Sequence, residues 1–149
     1  MREYELEKQE ADYFCIPVCL QAILREHSII LTQQQIAEQI LCTENGTNVK
    51  NIAKFLAALG FFYRGYNYNE VPLREPELFL KENFESSHIM IAMPHPKGYH
   101  FVLLEDFLHS DIVIADPEDC ERHRENLSAL YEKMFQEESG GFDLVSRSS

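Results

Sequence analysis

The order of helix-like and strand-like segments is the feature that most restricts the fold of this chain. In the first half, apolar residues recur at helical spacing, as at Val18 and Ala22, one turn apart within residues 16–26. In the second half, short runs rich in Ile and Val replace that pattern, as in "DIVIAD" at residues 111–116. Helices followed by antiparallel strands predict an α+β fold with an N-terminal helical lobe and a C-terminal sheet lobe. A cleft between the lobes would bring the start of the first long helix opposite residues of the strands.

Local signals set the expected boundaries of these segments. Thr32 and either Thr47 or Asn48 are suited to cap helices, Gly60 to end one, and Pro76 to open one. The predicted helices are residues 16–26, 33–41, 49–59, 77–84 and 127–135, and the predicted strands are residues 61–65, 88–94, 100–105, 111–116 and 142–145.

Size and charge exclude several classes of protein. The 149 residues are 45% hydrophobic and contain neither a repeat nor a linker, so we expect one domain, residues 1–149, with a disordered tail at residues 146–149. A net charge of −12 would repel nucleic acid and anionic membranes, so neither is an expected partner. No apolar run approaches the roughly 18 residues of a membrane span, and the acidic N-terminus does not have the pattern of a signal peptide. A cytoplasmic location with reduced cysteines is the default expectation.

Cys15 stands where a helix begins, and that position suits a nucleophile. A helix N-terminus and a nearby imidazolium both favour the thiolate, which is the reactive form of cysteine. Gln9, in the segment that leads into the helix, can supply a side-chain amide to the oxyanion that acyl transfer develops, beside the backbone N–H of Cys15. The alternatives are a small buried residue for Cys15 and an exposed polar residue for Gln9.

His100 is the candidate base, and Asp116 is the candidate group that orients it. Among six histidines, His100 begins an apolar strand directly after a loop, at the rim of the predicted sheet. If the strands 100–105 and 111–116 form a hairpin with a loop at residues 106–110, His100 lies directly opposite Asp116. Asp106 is the next candidate if Asp116 points the other way. The alternatives are a histidine that only caps a strand and an aspartate that only starts a turn before proline.

Gln9 and Cys15 are separated by five residues and are followed later in the chain by "HFVLL", which begins at His100, and by "IVIADP", which contains Asp116. In this order and spacing the chain resembles the bacteriocin-processing, double-glycine peptidases of the papain-like cysteine protease superfamily. Residues 44–61 are similar to that family's glycine-containing turn and the helix after it. The resemblance implies a papain-like fold in which Cys15 is the nucleophile and Gln9 the oxyanion donor. It also implies that His100 is the base and that Asp116 orients it. A peptide or protein substrate follows, with no cofactor.

The chain departs from the family at Ile16, where the family usually has glycine. Glycine lets a substrate backbone approach closely, and a branched side chain opposes that approach. We therefore predict inefficient cleavage after a double glycine. Two alternatives stay open: a papain-like module that binds peptides without turnover, and a deamidase or acyltransferase that uses the same site.

The remaining cysteines do not suggest a metal site. Cys15 and Cys19 lie on one helix face, but the chain has no Cys-x-x-Cys pair and Cys19 fits a core position. Cys42 and Cys120 have no obvious cationic partner. We expect Cys19 to be buried and zinc to be absent.

Overall fold

A computed structural model describes residues 2–71, 75–96 and 98–148 of the chain. The helices are α1 Cys15–Arg25, α2 Gln33–Gln39, α3 Val49–Ala58, α4 Pro76–Phe84 and α5 Leu127–Glu137, and a short 3₁₀ helix spans Tyr68–Glu70. The strands are β1 Phe61–Asn67, β2 His88–His95, β3 Gly98–Leu108, β4 Asp111–Asp116, β5 Glu121–Asn126 and β6 Gly141–Arg147. The mixture of helix and antiparallel sheet confirms the predicted fold class.

The helix ends form where the sequence signals predicted them. The Thr32 hydroxyl accepts from the backbone N–H of Gln35, and the side-chain oxygen of Gln35 accepts from the backbone N–H of Thr32. Asn48 caps α3 by accepting from Lys50, and Gly60 follows that helix with φ +87°. In the described part of the chain, no helix is long and apolar enough to span a membrane.

All six strands pair antiparallel in the order β1-β6-β2-β3-β4-β5. Alternate residues of the central strands point to opposite faces, so each face carries its own buried cluster. On β3, Leu103 packs with α1, α2 and α3, whereas Val102 and Leu104 pack with α4 and α5. The sheet thus lies between two helical layers, with α1 resting on one of its faces.

The β3–β4 hairpin corrects the predicted register. The sequence predicts a loop at residues 106–110, with His100 directly opposite Asp116. Instead β3 continues to Leu108, which pairs with Asp111 and leaves a two-residue turn. The prediction of direct pairing is wrong because the apolar run ends before the backbone pairing does.

A β-bulge nevertheless sets His100 and Asp116 on the same face. Glu105 is an extra residue in β3. On its far side Leu104 pairs with Ile114 and Leu103 with Ala115, so the next positions in that register are Val102 and Asp116. Val102 and His100 are two residues apart and therefore share a face of the strand. Without the extra residue, Asp116 would fall opposite Leu103 and point to the other face.

Two further expectations fail at the edges of the sheet. Residues 121–126, which lie outside the predicted strands, form edge strand β5, because pairing with β4 needs no apolar side chain. Ser146 and Arg147, assigned to a disordered tail, continue β6 and pair with β1. The N–H of Ser148 also donates to the Gly60 carbonyl at 2.8 Å, and Ser149 lies outside the described residues.

Candidate active site

Cys15 is the first residue of α1 and is partly exposed. The helix is anchored behind it by a buried face that includes Val18, Cys19 and Leu20, each inaccessible to solvent. The first N–H groups of a helix have no partner within it and carry a partial positive charge. The Cys15 sulfur therefore lies where an anion is favoured.

His100 and Asp116 form a direct hydrogen bond. Nε2 of His100 lies 2.6 Å from Oδ1 of Asp116, and about a sixth of each side chain is exposed, 16% and 17%. The same carboxylate oxygen accepts from the backbone N–H of Glu118 at 2.9 Å, and the Asp116 carbonyl accepts from Cys120 at 2.8 Å. The turn after β4 thus holds the carboxylate in the orientation that meets the ring. The predicted contact is present, although the predicted register is not.

The electrostatics of this pair favour a charged ring. Burial alone lowers the pKa of His100, but hydrogen bonds to Asp116 and Cys15, with their negative charges, outweigh it and raise the pKa to about 10. Burial likewise raises the pKa of the Asp116 carboxyl, but the bonds from His100 and Glu118 hold that pKa below its ordinary value. At neutral pH the ring is therefore an imidazolium between two acidic groups. Since Nε2 faces Asp116, Nδ1 is the nitrogen left for Cys15.

Gln9 lies in the loop before α1, where its amide nitrogen donates to the carbonyls of Ala11 and Asp12, each at 3.2 Å. Its side-chain oxygen is buried and has no hydrogen-bond partner among the described residues. These bonds shape the loop that leads to Cys15. They do not join Gln9 to Cys15 or His100. Of the four predicted site residues, His100 and Asp116 are hydrogen-bonded to each other, and Cys15 is close enough to His100 to help raise the pKa of its ring.

Ile16 points into the protein. It is 9% exposed and belongs to the cluster between α1 and the sheet, together with Leu20 and Leu103. The Ile16 side chain is therefore mostly buried below the molecular surface.

The other three cysteines are free thiols in less reactive surroundings. Cys19 is fully buried, as expected, and its sulfur lies 3.6 Å from the carbonyl of Phe101. Burial raises the pKa of Cys19, Cys42 and Cys120. The negative charge of Cys15 adds to this increase for Cys19 and Cys42, which places both near the candidate nucleophile.

Two overlapping groups of side chains have the composition of cation sites. His100, Asp116 and Glu118 form one, and Asp116, Asp119 and His123 the other, with ligand atoms within 4.8 Å of one another in each group. In the structure these atoms bond to each other instead: Asp116 to His100, and Asp119 to His123 at 2.6 Å. The sequence-based reasoning did not consider Glu118, which lies 3.8 Å from Nε2 of His100. The acidic turn "DPED" was the available signal for it.

Comparisons with known proteins bear on the family and the fold of this chain. The model of the family described as "Peptidase C39 family" matches residues 3–137. The peptidase domain of Streptococcus ComA, a bifunctional ABC transporter of a quorum-sensing pathway, is similar in structure, with a TM-score of 0.75 and 15% identity over 98% of this chain and 100% of that one. A double-glycine-motif protease from an AMS/PCAT transporter, solved in complex with the leader peptide, has a TM-score of 0.72 and 19% identity over 99% of this chain and 93% of that one. At these identities the two structures support the fold. No curated protein sequence gives a significant match.

Proposed function

Because the chain belongs to the peptidase C39 family, we propose that it is a cysteine peptidase that cleaves a peptide bond through a thioester on Cys15. The observation that carries the proposal is the 2.6 Å hydrogen bond between His100 and Asp116, together with the nearness of Cys15, which stands at a helix N-terminus and helps to raise the pKa of His100. A nucleophile, a base and a group that orients the base are the components such chemistry needs.

The proposed cycle begins with His100 holding the proton of Cys15. The thiolate attacks the carbonyl carbon of the scissile bond, and the electrons of the carbonyl double bond move to its oxygen. When this oxyanion collapses, the C–N bond breaks and His100 gives its proton to the leaving amine. The neutral ring then takes a proton from water as the water oxygen attacks the thioester. Loss of the thiolate releases the acid and restores the ion pair.

Oxyanion stabilisation is assigned to the backbone N–H of Cys15 and the Gln9 amide. The Cys15 N–H is one of the unpaired groups of the helix terminus. The Gln9 nitrogen donates to two loop carbonyls in the free protein, so it must give up one of those bonds when the oxyanion forms. Hydrogen bonds of catalytic groups often align only in the substrate complex.

A peptide is the proposed substrate class. The similar AMS/PCAT protease was solved with a leader peptide, which supports a peptide segment as the occupant of the corresponding cleft here. The prediction of poor cleavage after Gly-Gly rests on the branched side chain of Ile16, of which the 9% that is exposed is the part a substrate could meet. A leader peptide ending in Gly-Gly, processed by wild type and by Ile16→Gly, tests it. Equal and rapid processing by both proteins would contradict it.

The experiment for the proposal itself measures peptide cleavage by mass spectrometry, with substrates that include a double-glycine leader and a mixed peptide library. We expect Cys15→Ala to abolish product without lowering the melting temperature, because one small side chain replaces another. Asp116→Asn should lower kcat by about 10²–10⁴ while changing KM little. Cleavage that persists in Cys15→Ala would overturn the proposal.

A module that binds peptides without turnover is the second candidate. The hydrogen bonds of the Gln9 amide to two loop carbonyls favour this candidate. If the amide stays bonded to the loop, the site lacks one of the two proposed oxyanion donors. This candidate would be selected if wild type and Cys15→Ala bind a peptide with equal affinity and wild type forms neither a cleavage product nor an amine-transfer adduct. Transfer to an added amine would select an acyltransferase instead.

A further inference from the structure

A buried carboxylate lies where the β3–β4 pairing shifts register. Glu105 is the extra residue of the bulge, and only 2% of it is exposed. A charge is costly to bury unless hydrogen-bond donors surround it. A carboxylate at this position therefore needs dedicated partners, and the fold supplies them from two distant segments.

Arg122 of β5 is the first partner. Its Nε donates to one carboxylate oxygen of Glu105 at 2.9 Å, and a terminal nitrogen donates to the other at 3.0 Å. This two-point pairing fixes direction as well as distance. Because β4 lies between β3 and β5, the pair spans the strand that carries Asp116.

Residues 2–4, which we call the N-terminal strap, are the second partner. The N–H of Tyr4 donates to Glu105 at 2.6 Å, and the Tyr4 carbonyl accepts from Arg122 at 2.6 Å. The N–H of Arg2 donates to the Glu105 carbonyl at 2.8 Å. Backbone and side chain of the bulged residue are thus both held, and the bulge is clamped between the strap and β5.

The location of the bulge decides whether Asp116 can reach His100. Side chains alternate along a strand, so one extra residue moves every later pairing to the other face. With the extra residue at Glu105, Leu103 pairs with Ala115, and the next position of this register sets Asp116 opposite Val102, on the face of His100. If the extra residue moved along β3 past Val102, Asp116 would leave that face. A clamp on Glu105 opposes this movement.

We propose that Glu105 is a positioning residue for the His100–Asp116 pair, held in place by Arg122 and the N-terminal strap. The inference rests on the proposed function, because it identifies what keeps the proposed base and its orienting carboxylate in register. Glu105 acts through the backbone of β3 and does not touch the reacting atoms.

The test compares Glu105→Gln and Arg122→Gln with Arg124→Gln, a matched control on the same strand. Arg124 pairs with Asp111 at 2.7 Å in an exposed ion pair at the turn end of the β3–β4 hairpin. Two quantities are measured on each folded variant: the pKa of the His100 ring by NMR titration, and the rate of Cys15 alkylation by iodoacetamide at mildly acidic pH. Thermal denaturation monitors the fold separately.

We expect Glu105→Gln and Arg122→Gln, the two clamp variants, to lower the His100 pKa and to slow Cys15 alkylation by about tenfold or more. A rate loss of this size is expected when an active-site group is slightly misplaced. Arg124→Gln should leave both quantities within about twofold of wild type, as expected for an exposed pair. Arg122→Lys keeps the charge but loses the two-point contact, so it should give an intermediate pKa. Arg122→Lys also carries the test if Glu105→Gln does not fold.

The inference would be overturned if folded Glu105→Gln and Arg122→Gln kept the wild-type His100 pKa and alkylation rate. If neither variant folds, the same result in Arg122→Lys would overturn it. The NMR titration does not depend on turnover. If wild type cleaves no peptide but the clamp variants lower the His100 pKa, the proposed function fails and the positioning role stands.

Discussion

Replacing Asp143 by asparagine should stabilise the protein at neutral pH. Asp143 lies on β6, is 9% exposed, and accepts a 2.7 Å hydrogen bond from the Tyr63 hydroxyl. Burial raises the pKa of Asp143 from 3.8 to about 6, and the Tyr63 bond only partly offsets that rise. The folded protein therefore carries a poorly solvated charge above that pH.

The magnitude follows from linkage between protonation and folding. A folded-state pKa above the unfolded value stabilises the protein at low pH, and this contribution disappears as pH rises from 3.8 through about 6. A shift of about two units corresponds to about 3 kcal/mol, which is an upper value because asparagine brings its own amide to satisfy. We therefore expect Asp143→Asn to gain about 1–3 kcal/mol near neutral pH, with the Asn oxygen still accepting from Tyr63.

Urea denaturation of wild type and Asp143→Asn between pH 4 and pH 8 measures the difference directly. The gain should be small near pH 4 and should grow until about pH 7; in thermal scans each kcal/mol corresponds to about 2–4 °C. Asp111→Asn, at an exposed ion pair, is the control and should show no such pH-dependent gain. A loss of stability in Asp143→Asn at pH 7.5, or a difference independent of pH, would refute the reasoning.

Two further predictions concern a thiol and a buried histidine. Iodoacetamide at mildly acidic pH should label Cys15 before the other thiols, because Cys15 is partly exposed at a helix N-terminus beside His100, whereas burial raises the pKa of Cys19. His100→Ala should slow the labelling, and peptide mapping that finds Cys15 slowest would exclude it as the nucleophile. Burial and, after it, the charge of Arg2 lower the pKa of His88 from 6.5 to about 3. The stability that the neutral ring contributes above pH 6.5 should therefore be lost as the pH falls below that value. Urea titrations should show a smaller loss in His88→Gln than in wild type, and an equal loss would contradict the assignment.

The sequence by itself determined the parts of this protein that depend on neighbouring residues. Thr32, Asn48 and Gly60 mark helix ends because caps act on backbone groups within a few residues. The position of Cys15 at the start of α1 follows for the same reason, since the apolar face of that helix begins directly after it.

Segments without an apolar pattern could not be predicted in this way. Strand β5 consists of polar and charged residues, and its assignment comes from backbone pairing with β4. The end of β6 was also not predicted, because it has no apolar pattern. There Ser146 and Arg147 are ordered by pairing with β1, a strand that lies some 80 positions earlier in the chain.

The register that brings His100 to Asp116 was decided by tertiary structure alone. Both residues could be chosen from the sequence because each stands at the end of an apolar strand, but the face on which Asp116 lies depends on the bulge at Glu105. That bulge is stabilised by Tyr4, which lies 101 positions away in the chain, and by Arg122. Alternation along a strand predicts faces only while pairing is regular, so one extra residue, held by contacts distant in sequence, changes the result.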